Sequence, residues 1–104
     1  MDMNALMKQA QQMQEQMLQA QEEAKQIVSE ASAGGGMVTV KANGGGELVE
    51  IRIDARAIDP DDPELLGDMV LAAANEALRS ANEAVEAKLR SQLPDLGGLG
   101  IPGL

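Results

Sequence analysis

The side chains of this sequence that could do chemistry are few in kind, and their types limit what that chemistry could be. Its 104 residues include no His, Cys, Trp, Tyr or Phe. The chain therefore lacks an imidazole base, a thiolate nucleophile and the usual ligands of zinc, haem or iron–sulfur centres. It also lacks the aromatic rings on which single-strand and RNA binders stack bases. This inventory predicts no enzyme activity, no catalytic residue, no cofactor and no small-molecule substrate.

The densest set of like charges is the acidic segment, residues 59–68, which contains five carboxylates and no base (Asp59, Asp61, Asp62, Glu64 and Asp68). Carboxylates bind divalent cations, but the segment lacks the central glycine and the spacing of an EF-hand loop. Asp62 before Pro63 is instead typical of a helix N-cap followed by a first-turn proline. We therefore expect a helix start, stabilised by negative charge at its positive dipole end, and no metal site.

Three glycine-rich strings resemble phosphate loops, and none has the right context. The GxGxxG string at 98–103 has no strand before it and no helix after it, and Pro102 removes an amide that would face phosphate. The triple glycines at 34–36 and 44–46 are not followed by Lys-Ser or Lys-Thr. We interpret both triplets as turns.

Positive charge is sparse, with 8 bases against 17 acids and a net charge of −9. Bases scattered in this way are most often solvated surface. Glu86 and Arg90, four residues apart, are expected to form an ordinary helix pair. Five of the bases lie on the two predicted helices: Lys8, Lys25, Arg79, Lys88 and Arg90.

Two long helices must carry these bases. Residues 2 to about 28 place apolar side chains at alternating spacings of three and four, as in a heptad seam. This seam consists of Met3, Leu6, Ala10, Met13, Met17, Ala20, Ala24, Ile27 and Ala31. The helix must end before Gly34, and residues 27–33 could form either its last turns or a short strand. Residues 63 to about 92 predict the second helix, closed by Pro94.

Between the helices, residues 38–42 and 49–53 alternate apolar and polar side chains, as half-buried strands do. Asn43 and the glycines at 44–46 predict the turn of a β-hairpin. The fold class is therefore α+β, with residues 1–93 as one domain and 94–104 as a flexible tail rich in Gly and Pro. No stretch is apolar enough for a membrane span or a signal peptide, so the sequence predicts a cytoplasmic protein.

Self-association is expected because an isolated hairpin is marginally stable and the apolar residues are too small for a thick core. The candidate interface residues are Val38, Val40, Val49, Ile51 and Ile53. One sequence does not divide them between the core of a protomer and a dimer interface.

Particular strings, in this order, resemble the YbaB/EbfC family of bacterial nucleoid-associated proteins across essentially the whole chain. They are LMKQAQQMQ at 6–14, GGGMVTV at 34–40, NGGGEL at 43–48, ID at 53–54, DPDD at 59–62, AANEA at 73–77 and GGLGIPGL at 97–104. The chain departs from many members at Ala31, Thr39 and Ala55, which replace a Gly, a Lys and a Pro. Thr39 removes one base from each subunit.

The resemblance implies a tweezer-like homodimer whose helices project from a shared sheet, with residues 27–33 in a strand. It also implies double-stranded DNA as the partner, low sequence preference, and a role in nucleoid organisation and gene regulation. Because a dimer would carry a charge of −18, DNA would have to contact a local surface away from the acidic segment. The candidate DNA-binding residues that the resemblance implies are the helix bases Lys8, Lys25, Arg79, Lys88 and Arg90. The alternative is a chaperone-like or scaffold protein of prefoldin-like helix–hairpin–helix type, which would use the methionine-rich seam to hold unfolded chains.

Overall fold

The computed structural model describes residues 2–92, and within them it confirms the α+β fold class. The predicted tail and the GxGxxG string lie outside the described residues. The elements are α1 (Met3–Lys25), β1 (Val28–Ala33), β2 (Val38–Asn43), β3 (Leu48–Ile53) and α2 (Pro63–Gln92), with a short 3₁₀ turn at Ala55–Ala57. Neither described helix is long and apolar enough to cross a membrane.

The three strands form one antiparallel sheet in the order β1-β2-β3. Val38 pairs with Ile53 and Val40 with Ile51, so their apolar side chains share one face of the sheet. The turn before β2 has positive φ at Gly34, Gly35 and Gly36, which only glycine adopts cheaply. Both glycine triplets are therefore turns, as predicted.

The core lies between α2 and the first two strands. Val38 and Val40 have no solvent exposure, and alanines of α2 pack against them (Ala73, Ala74, Ala77 and Ala81). Because alanine has so small a side chain, the helix axis can approach the sheet closely. This packing fixes the position of α2 and leaves β3 without a helix over it.

The structure corrects the predicted end of the first helix. The apolar spacing predicts a helix to about residue 28, but α1 ends at Lys25 and Val28 begins β1, as the family resemblance implied. The helix ends early because Val28 pairs with Asn43 and because the Gly44 amide binds the Ala24 and Ile27 carbonyl oxygens. The start of α2 agrees with its prediction: the Asp62 carboxylate accepts a hydrogen bond from the Leu65 amide at 3.2 Å.

The molecule is elongated, with extents of 70 × 34 × 18 Å and a radius of gyration of 20.2 Å. A compact domain of about 100 residues has a radius of gyration near 13 Å. The difference comes from α1, which projects from the sheet and contains no buried residue. The single chain therefore leaves much of its apolar surface exposed to water.

Candidate nucleic-acid interface

The end of α2 lies beside the end of α1, and together they form what we call the helical arm, comprising α1 and residues 85–92 of α2. A narrow apolar cleft between the two helices is lined by Ala20, Ala24, Ile27, Val85 and Leu89. Lys88 Nζ reaches Glu23 Oε2 across the cleft at 3.8 Å. The sequence-predicted bases Lys8, Lys25, Lys88 and Arg90 all lie on this arm.

These four bases differ in how far they are neutralised. Lys25 lies 3.9 Å from Glu22, and both Lys25 and Lys88 are exposed and held in long pairs. Such surface pairs contribute little energy and exchange easily for another anion. Within residues 2–92, Lys8 and Arg90 have no ion-pair partner. The predicted Glu86–Arg90 pair does not form, and Glu86 accepts a hydrogen bond from Asn82 at 3.3 Å.

Arg79 lies outside the helical arm, and neighbouring carboxylates neutralise its charge. It lies near the middle of α2, where its guanidinium binds Glu83 at 2.6 Å and makes two hydrogen bonds to Glu76. These carboxylates raise the pKa of Arg79, the Glu76 hydrogen bond being the larger cause. Arg79 therefore carries a local charge that its neighbours more than cancel.

The bases of the hairpin are also occupied. On the outer face of the sheet, Arg52 binds Glu30 and Glu50, each at 3.3 Å, and Lys41 lies 3.6 Å from Glu50. Beyond β3, the Arg56 guanidinium binds the Asp54 carboxylate at 2.9 Å. The sheet therefore presents a network of paired charges, not a basic surface.

Charge is distributed unevenly along the molecule. The helical arm holds four acids and four bases and so has no net charge, whereas the acidic segment holds five acids and no base. Residues 63 and 85 are 22 positions apart on α2, which corresponds to about 33 Å. That distance is several times the roughly 8 Å Debye length at physiological salt. The acidic segment is thus electrostatically remote from the arm.

Two carboxylates of the acidic segment, those of Asp59 and Asp62, accept hydrogen bonds from nearby backbone amides. Asp59 Oδ1 accepts a hydrogen bond from the Asp61 amide at 2.9 Å, and Asp62 caps α2. Among residues 2–92, no cluster of three or more Asp or Glu is arranged to hold a metal ion.

A second surface is apolar. Every residue of β3 is exposed, and Val49, Ile51 and Ile53 are 51%, 45% and 41% exposed. Val38 and Val40, grouped with these three in the sequence-based prediction, lie in the core of the protomer under α2. Of the five predicted interface residues, Val49, Ile51 and Ile53 are therefore the ones with exposed surface that another chain could contact.

Sequence reasoning treated Gly44 only as a turn residue and missed its contact with α1. Its amide donates to the Ala24 oxygen at 3.0 Å and to the Ile27 oxygen at 2.9 Å. No local pattern reveals this contact, because it joins residues about twenty positions apart.

Comparison with known proteins agrees with the architecture. The sequence model of the YbaB/EbfC DNA-binding family matches residues 1–96. A nucleoid-associated protein of Acetivibrio thermocellus is 52% identical, over 99% of this chain and 89% of its own length. Another, of Clostridium novyi, is 48% identical over 100% of this chain and 89% of its own length.

The fold is also similar to a solved structure, that of an uncharacterized protein from Helicobacter pylori. The TM-score is 0.70 at 29% identity, covering 90% of this chain and 99% of that one. With a family match over nearly its full length and relatives at about half identity, this chain belongs to the YbaB/EbfC DNA-binding family.

Proposed function

We propose that this protein binds double-stranded DNA with low sequence preference, as a homodimer, through its helical arms. Its membership of a DNA-binding family supports the activity. The observation that supports the arm as the site is the placement of Lys8 and Arg90. They lie on the arm without an ion-pair partner among residues 2–92, remote from the acidic segment.

The proposed contacts are to the DNA backbone. Lys8, Lys25, Lys88 and Arg90 would bind phosphates, and glutamines of α1 would add hydrogen bonds to phosphates or base edges. With no aromatic side chain, the protein has no ring to stack on bases. Backbone contacts carry no sequence information and are weakened by salt, so we expect weak, salt-sensitive binding.

A second copy of the chain is the partner that fits the exposed face of β3. The strand has one unpaired edge and partly exposed apolar side chains, among them Val49, Ile51 and Ile53. Unpaired edges tend to pair with another chain. A dimer would bury this surface and place two helical arms on one molecule, so that both could contact one duplex.

In the cell, such a dimer would act by binding, not by catalysis. Contact with many DNA sites of different sequence would contribute to nucleoid organisation and, through it, to gene regulation. The curated relatives named above are called nucleoid-associated proteins, which supports a location on the bacterial chromosome in the cytoplasm.

DNA binding is tested by fluorescence anisotropy with a labelled duplex over a series of salt concentrations. We expect Lys8→Gln with Arg90→Gln to weaken binding on the order of tenfold per lost contact at low salt. The slope of log K against log salt should fall by about 0.9 for each lost phosphate contact. Arg79→Gln is the matched control and should change neither quantity.

Two results would count against this proposal. Absence of wild-type binding at tens of micromolar dimer in low salt would remove DNA as the partner. An equal loss of affinity in the Arg79→Gln control would remove the helical arm as the specific site.

The homodimer is tested by sedimentation equilibrium of the wild type and of Ile51→Asp. Because this substitution would place a carboxylate on the exposed apolar face of β3, we expect the variant to sediment as a 10.9 kDa monomer. Leu71→Asp changes an exposed aliphatic side chain outside the packed stripe of α2 and should remain dimeric. A wild-type monomer at micromolar concentration would contradict the homodimer.

A further inference from the structure

We propose that Gly44 is a positioning residue: it sets the direction in which α1 leaves the sheet, and thereby the spacing between Lys8 and Arg90. The inference deepens the proposed function, on which its link to DNA rests. It concerns the turn between β2 and β3, which lies against the base of the helical arm.

The backbone of Gly44 is bonded directly to the end of α1. Its amide donates to the Ala24 oxygen at 3.0 Å and to the Ile27 oxygen at 2.9 Å. The Ala24 oxygen also accepts a hydrogen bond from the Ile27 amide at 3.1 Å, so the Gly44 amide adds a second bond at the end of the helix. The turn of the sheet therefore ends the helix and fixes where its last residues lie.

The site has no room for a side chain. A Cβ at Gly44 would lie 2.6 Å from the Ala24 oxygen and would overlap Val85 Cγ2. Gly44 is not among the glycines with positive φ, so its backbone conformation would accept alanine. Glycine is needed at position 44 because a side chain there would collide with both helices of the arm. At Gly45, by contrast, the nearest atom is the Cγ of the flexible Lys25 side chain.

The turn itself is held rigidly, so it is α1 that must yield. The buried Asn43 side chain accepts hydrogen bonds from the Gly45 amide at 2.9 Å and the Glu47 amide at 3.1 Å. Its amide nitrogen also donates to the Glu47 carboxylate at 3.3 Å. Asn43 thus closes the turn on itself, while α1 has no buried residue to hold it elsewhere.

The projecting helix amplifies a small shift at its base. To reach ordinary contact, a Cβ at position 44 and the Ala24 oxygen must move about 0.8 Å apart. Across the roughly 5 Å radius of a helix, this shift corresponds to a tilt of about 9°. Lys8 lies 17 residues before Lys25, about 25 Å along the axis, so the tilt displaces it by about 4 Å.

The experiment measures the distance between α1 and α2 by double electron–electron resonance. The chain has no native cysteine, so spin labels at Gln12→Cys and Ala72→Cys, both exposed, report one distance. Labelled protein is mixed with an excess of unlabelled protein, which isolates the distance within a protomer. Gln12 lies 13 residues before Lys25, about 20 Å along the axis, so we expect Gly44→Ala to shift this distance by about 3 Å. We also expect it to lower DNA affinity severalfold.

Gly67→Ala is the matched control, because a Cβ at Gly67 meets no atom within 4 Å and the residue lies in α2 with no positive φ. It should leave both the distance and the affinity unchanged. Gly44→Ala with Val85→Ala keeps only the overlap with the Ala24 oxygen. It should shift the distance in the same direction, and it provides a folded variant if the single change is too disruptive.

A wild-type distance in both Gly44 variants would overturn the inference. Loss of the folded circular dichroism spectrum in both would also overturn it, because Gly44 would then be needed for folding and not for direction. A shifted distance with unchanged affinity would remove the link to DNA. If the wild type fails to bind DNA, the proposed function fails, and the distances still decide the role of Gly44.

Discussion

At the scale of single residues, Asp54 shows how a local contact sets an ionisation. Its carboxylate accepts hydrogen bonds from the Arg56 amide at 2.9 Å, from Nε at 3.1 Å and from Nη2 at 2.9 Å. The Arg56 side chain, followed by its amide, lowers the Asp54 pKa from 3.8 to about 2. The contact fixes the turn that leads from β3 toward α2.

We predict that the Asp54 carboxyl titrates near pH 2 when its chemical shift is followed by NMR. Because the folded pKa is below the unfolded one, the contact stabilises the fold fully above about pH 3.8. That stabilisation is lost as the pH falls through about 2. Arg56→Ala removes the largest cause and should raise the midpoint toward 3.8, whereas Arg79→Ala should leave it unchanged. A wild-type midpoint near 3.8 would contradict the contact.

Residue types alone did not separate the bases that are held by neighbouring carboxylates from those that are not. Arg79 and Arg90 are both arginines on α2. Arg79 binds Glu76 and Glu83, whereas Arg90 has no ion pair with an acid among residues 2–92. Glu76 and Glu83 lie three and four residues from Arg79, so the sequence alone could have predicted these ion pairs. The contact of Lys88 with Glu23 could not, since the two residues are on different helices 65 positions apart.

At the scale of elements, the sequence predicted correctly those strands and helix ends that depend on interactions between neighbouring residues. Period-two alternation located β2 and β3, and Asp62 with Pro63 located the start of α2. The end of α1 was predicted about three residues too late because the spacing of three and four between apolar residues continues through Ile27 to Ala31. Its actual position depends on pairing with Asn43 and on the Gly44 amide, which are contacts between distant segments.

The alanine stripe of α2 permits a direct test of the close approach between helix and sheet. Ala77 is fully buried beneath the sheet, so Ala77→Leu adds three carbons where no space exists. Overpacking of this kind destabilises by about 1–3 kcal/mol. Ala72→Leu, exposed on the same helix, should change the free energy of unfolding by less than about 0.5 kcal/mol.

Urea unfolding, followed by circular dichroism at one fixed protein concentration, measures both variants. The concentration must be fixed because association contributes to the apparent stability of a dimer. Equal effects of the two substitutions would show that the Ala77 site is not tightly packed.

At the scale of the whole molecule, the single chain buries little of its apolar surface for a sequence of this length. Its fully buried side chains are valine and alanine, and α1 and β3 remain exposed. A core of such small residues buries little apolar area, and burial is the main favourable contribution to folding. The elongated shape therefore agrees with a subunit that is completed by a second copy.

The position of charge, more than its total, should control DNA affinity. Glu15→Gln with Glu22→Gln removes two negative charges from the helical arm. Asp61→Asn with Glu64→Gln removes the same number from the acidic segment, about 30 Å or more from the arm along α2. At about 50 mM salt the Debye length is about 14 Å, so only charges on the arm act strongly on DNA bound there.

We therefore expect the arm variant to raise affinity severalfold in low-salt anisotropy titrations, and the distal variant to change it by less than about twofold. Both variants have the same net charge, so each is the control for the other. Equal gains would mean that DNA responds to the total charge of −9. A larger gain from the distal variant would place DNA near the start of α2 and would contradict the helical arm as the binding surface.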